Sequence, residues 1–158
     1  MLVEPEIPQN TGNIARTCAA TGAALHLIEP MGFSVDEKHV RRAGLDYWPL
    51  VDLHIYSSLS AFFELHDIAK AFYISTKARL SYAQAQFSPD DILVFGKETR
   101  GLPESLLRAH PDQCLRIPMR TEARSLNLAN SVAIVLYEAL RQQGFPELTE
   151  TGILSDAN

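Results

Sequence analysis

The sequence predicts an α/β domain, a mostly parallel sheet with helices on both faces. Three observations carry this. Short apolar runs alternate along the chain with segments of helical periodicity, the pattern of repeated strand and helix units. Three loops marked by glycine and asparagine each follow such a run and open a helical segment, and in open α/β sheets ligands bind at the carboxyl ends of strands. The length of 158 residues suits one domain with a real core.

In chain order, residues 1–4 read as a stub of strand and residues 11–21 as a helix closed by Gly22. Residues 25–28 are a strand, 36–43 a short basic helix ending at Gly44, and 51–55 a strand. Ser58 opens a helix over 58–65. Residues 71–75 and 92–95 are strands, and Pro103 opens a helix to residue 110, proline being favoured at the first helical position. Residues 115–117 form a strand, and 127–143 the long last helix, stopped by Gly144 and Pro146. On that helix Leu126, Ala129, Val132, Ala133, Leu136 and Leu140 make one apolar stripe, with Ile134 and Val135 off it. A helix apolar on most sides must be buried on most sides, either within one chain or against a partner subunit. Residues 1–148 read as a single domain and 149–158 as a polar, fraying tail.

Apolar residues at 46% and charged residues at 21% exclude a disordered or fibrous chain. No apolar stretch reaches the roughly eighteen residues of a membrane span, and Met1-Leu2-Val3-Glu4 has no secretory pattern. Cys18 and Cys114 fit neither a zinc site nor a disulfide framework, which points to a reduced, cytoplasmic setting. The five histidines have no metal-binding spacing, so no metal is expected. A net charge of −5 argues mildly against nucleic acid. Arg16, Lys38, Arg41, Arg42, Lys77, Arg79, Lys97, Arg100, Arg116, Arg120 and Arg124 nevertheless gather near the loops, so composition alone leaves RNA binding undecided.

The first loop is Asn10-Thr11-Gly12-Asn13-Ile14-Ala15-Arg16-Thr17. Helical spacing puts Asn13 and Arg16 on one face and Ile14 and Cys18 on the opposite, core-facing one. An arginine so placed serves either a surface ion pair or a phosphate or ribose, which its planar fork suits. The second loop is Phe95-Gly96-Lys97-Glu98-Thr99-Arg100-Gly101-Leu102-Pro103, where Gly96 and Gly101 are either plain turn residues or places where backbone meets a ligand. It is not a phosphate loop, because no glycine sits five positions before Gly96, and no dinucleotide fingerprint occurs anywhere. The third runs Ile117-Pro118-Met119 and then Ser125-Leu126-Asn127-Leu128-Ala129-Asn130-Ser131. Lys38, Arg41 and Arg42 are either a solvated helix face or a phosphate contact. Tyr137 either stacks on a base or packs in an interface.

All three motifs, in this order and over nearly the whole chain, resemble the SPOUT class of RNA methyltransferases. The runs Glu4-Pro5-Glu6-Ile7-Pro8-Gln9-Asn10-Thr11-Gly12-Asn13 and Arg41-Arg42-Ala43-Gly44-Leu45-Asp46-Tyr47 are similar to its TrmL-like branch, the tRNA wobble-position 2′-O-methyltransferases. The resemblance implies a C-terminal trefoil knot, against the general rule for chains, and a homodimer. It implies S-adenosylmethionine as cofactor and methylation of the ribose 2′-oxygen of the wobble cytidine or modified uridine in the anticodon stem-loop of tRNA. The alternatives are another tRNA or rRNA ribose, or a binding protein that has lost catalysis. By the same resemblance, Arg16, Asn10 and Asn127 are catalytic, while Ile74, Gly96, Gly101, Ile117, Ser125 and Leu126 contact the cofactor, with Glu98 bracing the loop; Met119, in a loop after Pro118, is expected to line that cleft rather than pack in the core. Arg16, Lys38, Arg41, Arg42 and Tyr137 are the expected RNA contacts. A guanidinium with a pKa above about 12 is a poor base, so Arg16 is expected to position and polarise the ribose hydroxyl while the proton leaves through phosphate or water.

Overall fold

A computed structural model describes residues 1–33 and 47–154. The helix expected over 36–43, and with it Lys38, Arg41 and Arg42, lies outside the described residues. The described strands are β1 (Leu2–Val3), β2 (Leu25–Ile28), β3 (Leu53–Tyr56), β4 (Ala71–Ile74), β5 (Leu80–Ser81), β6 (Ile92–Phe95) and β7 (Cys114–Arg116). They form one sheet in the order β3-β2-β1-β6-β4-β7-β5, and every pairing is parallel. The helices are α1 (Pro8–Thr21), α2 (Leu59–Phe63), α3 (Glu104–Ala109) and α4 (Leu128–Gln142).

Side-chain alternation along the strands splits the core in two. Leu2, Leu25, Leu27, Phe95 and Leu115 pack with Ile14, Ala15 and Cys18 of α1 and Val132, Val135 and Ala139 of α4. Val3, Ile28, Ala71, Tyr73, Val94 and Cys114 face the other way, with Phe62 of α2 and Leu106 and Leu107 of α3 against them. The central strands are covered on both faces, which is why β4 and β6 read as continuous apolar runs, whereas β3 at the sheet edge leaves His54 and Ile55 exposed. Each fully buried large side chain contributes about 1.5–3 kcal/mol. Ile14 and Cys18 are buried and Asn13 and Arg16 exposed, as the helical spacing predicts.

Several expectations need correction. Helix α1 starts at Pro8 rather than at residue 11, with Pro8 in the first turn. The strand expected at 51–55 runs Leu53–Tyr56, because Trp48–Leu50 form a 3-10 turn just before it. Helix α2 is shorter than 58–65, although Ser58 caps it through Ala61 N as expected. Strand β5 was not foreseen; it is a two-residue edge strand beside β7. On α4 the buried positions are Val132, Val135 and Ala139, so Val135 belongs to the core-facing stripe, while Ala133, Leu136 and Leu140 are only partly covered. Residues 149–154 are exposed and carry no helix or strand. Among the described residues no helix is long and apolar enough to cross a membrane.

From β1 the chain builds outward through β2 to β3, and the later strands build the other half beyond β6. Strand β6 enters between β1 and β4, and β7 between β4 and β5. The crevice at the carboxyl ends of β1, β6, β4 and β7 is thus the place where such a sheet holds ligands.

Candidate active site

Helix α1 has Ile7 at its N-cap and no side chain of its own to serve the free backbone N–H groups. Glu98, on the loop after β6, does so instead. Its Oε2 accepts from Glu6 N at 2.9 Å, and its Oε1 from Ile7 N at 3.2 Å and Asn10 Nδ2 at 3.0 Å. Burial pushes the Glu98 carboxyl up, but the bonds from Asn10, Glu6 and Ile7 together outweigh it and hold the group below the ordinary carboxylate range. The positive end of the helix favours the same charge.

Asn10 is buried, at 6% exposure. Its amide nitrogen faces an acceptor-only carboxylate, so its Oδ1 is left to accept, and Asn127 Nδ2 donates to it at 2.9 Å. Asn127 Oδ1 in turn caps α4, accepting from Ala129 N at 2.9 Å and Asn130 N at 3.3 Å. The chain Glu98–Asn10–Asn127 therefore ties all three sequence motifs together, and every amide has one allowed orientation. Two further contacts brace the second loop against residues before α1: Thr99 Oγ1 donates to Glu6 Oε2 at 2.7 Å, and Lys97 Nζ meets Glu4 Oε2 at 2.5 Å. The sequence reading missed both. The lack of a capping side chain before Pro8 signals the need that Glu98 meets, but not these two contacts.

Beside this network lies a cleft of about 590 Å³, within the usual range for small-molecule sites. Ile74 stands at the end of β4, Gly96 and Gly101 on the loop after β6, and Ile117, Met119, Ser125 and Leu126 on the segment after β7; all seven line it, as do Asn10 and Asn127. A Cβ on Gly96 would lie 2.1 Å from the carbonyl carbon of Gly101, so the loop closes only around a glycine. Gly101 has φ +68, the left-handed region, and its missing Cβ would point into open space. Backbone thus forms the wall at both positions.

Arg16 does not line this cleft. It stands two turns further along α1 on the exposed side, with its guanidinium 5.1 Å from the ring centroid of Tyr47. Tyr47 donates from its hydroxyl to Gly12 O at 2.9 Å, which fixes the ring on the same motif. Tyr137, on α4, is 46% exposed and also outside the cleft. A larger cavity of about 980 Å³ lies at the opposite, amino-terminal end of the sheet, among Ala19, Leu65, Leu136 and Leu140. None of the three motif loops after β1, β6 and β7 supplies its polar groups.

The SpoU rRNA Methylase family matches residues 1–137. A tRNA (cytidine(34)-2'-O)-methyltransferase of Escherichia coli K12 is 49% identical over 147 residues, covering 92% of this chain and 94% of that protein. A solved structure giving structural insights into the 2-OH methylation of C/U34 on tRNA superposes with a TM-score of 0.84 at 49% identity, covering 90% of this chain and 93% of that one. The SpoU methyltransferase AviRb from Streptomyces viridochromogenes, in complex with the cofactor AdoMet, gives a TM-score of 0.77 at 26% identity over 90% of this chain and 56% of that one. On the family match and the near full-length identity, the chain belongs to the SpoU rRNA methylase family.

Proposed function

We propose that this chain is an S-adenosylmethionine-dependent methyltransferase acting on the ribose 2′-oxygen of the wobble nucleotide of tRNA. The observation that carries the reading is the convergence of all three motifs on one cleft, joined by the Glu98–Asn10–Asn127 chain. Its backbone wall at Gly96 and Gly101 and its apolar side chains Ile74, Ile117, Met119 and Leu126 fit a flat nucleoside cofactor. S-adenosylmethionine, when bound, supplies an electrophilic methyl carbon on a positive sulfonium. The apolar side chains exclude water from it. Asn10 and Asn127, locked by their partners, fix the geometry of the loops on which in-line attack depends. Arg16, outside the cleft lining, holds substrate: its fork binds the ribose and a flanking phosphate, and the hydroxyl proton leaves to phosphate or water.

The tRNA target is supported by the names of relatives at about half identity and near full coverage. A tRNA target and the two cysteines without a disulfide or zinc pattern support work in the cytoplasm. The homodimer is supported by the outer side of α4, where Ile134 and Tyr137 are 37% and 46% exposed. The trefoil knot is supported by the two late strand insertions, β6 and β7.

The test is methyl transfer from labelled S-adenosylmethionine to a tRNA transcript and to the same transcript carrying a 2′-deoxynucleotide at the wobble position. Transfer to the first and none to the second is expected. Equal transfer to both moves the target to another ribose.

A further inference from the structure

Four cations line the cleft: Lys77, Lys97, Arg100 and Arg124. Lys77 is bound by Glu104 and Lys97 by Glu4. Glu98 is taken up by Asn10 and two backbone N–H groups. Arg100 and Arg124 have no carboxylate or hydrogen-bond partner among the described residues, and both are exposed. We propose that these two arginines form a two-sided clamp on the phosphodiester groups of the RNA strand that flanks the methylated nucleotide. The inference rests on the functional reading above and adds the residues that hold the strand.

Placement favours a clamp. Arg100 is on the loop after β6 and Arg124 on the segment after β7, and these strands flank β4. With strands about 4.8 Å apart, the two loops spring from points about 10 Å from one another, on either side of Ile74. A guanidinium keeps its charge at every working pH and makes paired hydrogen bonds to phosphate. Arg100 also lines an adjoining hollow of about 580 Å³ with Val3, Glu4 and Pro103. It stands on the ridge between two cavities, where a polymer crossing the mouth meets it, and not on the cleft floor. In a chain of net charge −5, two uncompensated cations at the mouth supply the local field that RNA requires. The carboxylate of the cofactor's methionine arm is the other anion that reaches this cleft, and the experiment separates the two.

Arg100→Ala, Arg124→Ala and the double variant are compared with wild type for binding an anticodon stem-loop RNA across a salt series, with S-adenosylmethionine affinity measured by calorimetry. Each single change is expected to weaken RNA binding about tenfold and to lower the log–log salt slope by about 0.7–0.9. Cofactor affinity should stay within about twofold, far below the change for a lost charged hydrogen bond. Arg→Lys variants should keep the slope and lose part of the affinity, because charge is retained and the fork is not. A double variant with unchanged RNA affinity and slope overturns the clamp. Weakened cofactor binding with unchanged RNA binding also overturns it and assigns the pair to the cofactor's carboxylate. RNA binding is read without turnover, so a wild-type protein that binds RNA through these arginines but transfers no methyl group counts against the functional reading alone.

Discussion

Asn10 has its amide held at both ends, by an acceptor-only carboxylate and by a second amide that is itself fixed on a helix terminus. Changing Asn10 to Asp replaces a donor with a charge 3.0 Å from Glu98 Oε1. The buried donor–acceptor pair becomes a like-charge pair, and one carboxyl must take up a proton. A loss of about 1–3 kcal/mol is expected at neutral pH, shrinking as the pH is lowered and the pair shares a proton. Urea unfolding at two pH values checks this; an equal defect at both would mean the carboxylate is not the partner that matters. The two glycines differ in kind. Gly96→Ala forces a Cβ onto the backbone of Gly101, so the loop itself must move. Gly101→Ala finds space but must hold φ +68, a strain of about 1–2 kcal/mol. Calorimetry should therefore find cofactor affinity far more reduced in Gly96→Ala than in Gly101→Ala.

At the scale of elements, β2, β3 and the turn after α2 bring three histidines together. His26 stacks on His54 at 5.1 Å and meets His66 edge-on at 5.3 Å between ring centroids, and its Nδ1 is buried with no hydrogen-bond partner among the described residues. Burial foremost, with the charges of the amino terminus, His54 and His66 adding, pushes His26 down from the ordinary 6.5 to about 4. The folded protein keeps the ring neutral, so as the pH falls below about 6.5 the unfolded chain takes up the proton first. Stability is full above that pH and is lost down to about pH 4, by on the order of 2 kcal/mol after allowing for the ring's partial exposure. Urea unfolding at pH 7.5 and 4.5 should show the drop, and His26→Gln should flatten it. No sequence spacing announced this cluster, because its members come from separate elements and meet only through strand register. By contrast β2 and β6 were legible to the residue, β6 as a short apolar run and β2 as one broken only by His26. Strand β5 was not, since two residues at a sheet edge bury too little to leave a pattern. The start of α1 was missed for a related reason: Pro8-Gln9-Asn10 reads locally as loop, and the acceptor that stabilises it lies some ninety residues away on Glu98. The cleft-lining residues were legible through the family resemblance of the three loops, since Gly96 and Gly101 alone read equally well as plain turn residues; the hydrogen bonds joining the loops left no mark in the sequence.

For the whole molecule, the outer face of α4 bears on assembly. Ile134 and Tyr137 are exposed on one side of a helix whose opposite side, Val132, Val135 and Ala139, is already spent on the sheet. Leu136 is only partly covered and lines the large cavity, so a charge there would disturb the fold as well as any interface. Ile134→Glu puts a charge on the outer face alone and should convert a dimer to a folded monomer by sedimentation, with an unchanged circular dichroism spectrum. A wild-type chain that sediments as a monomer removes the dimer from the reading.

Arg16 supplies the sharpest test of the mechanism. It lies opposite the buried Ile14 and Cys18, so Arg16→Ala opens no cavity, and its lost contact is the exposed stacking on Tyr47. It is not among the residues that line the cleft, so S-adenosylmethionine affinity should change little. If its fork holds the ribose and flanking phosphate in line with the methyl carbon, the chemical step loses part of a positioning effect whose full scale is about 7–11 kcal/mol. Single-turnover rates on an anticodon stem-loop should then fall by several orders of magnitude while the oligomeric state and the calorimetric cofactor titration stay as in wild type. Near-normal turnover would remove Arg16 from the reaction, and a lost cofactor isotherm would move it into the cleft. Arg16→Lys separates charge from geometry: it should recover RNA binding and its salt slope but not the rate, because an ammonium attracts phosphate without the planar fork that orients it.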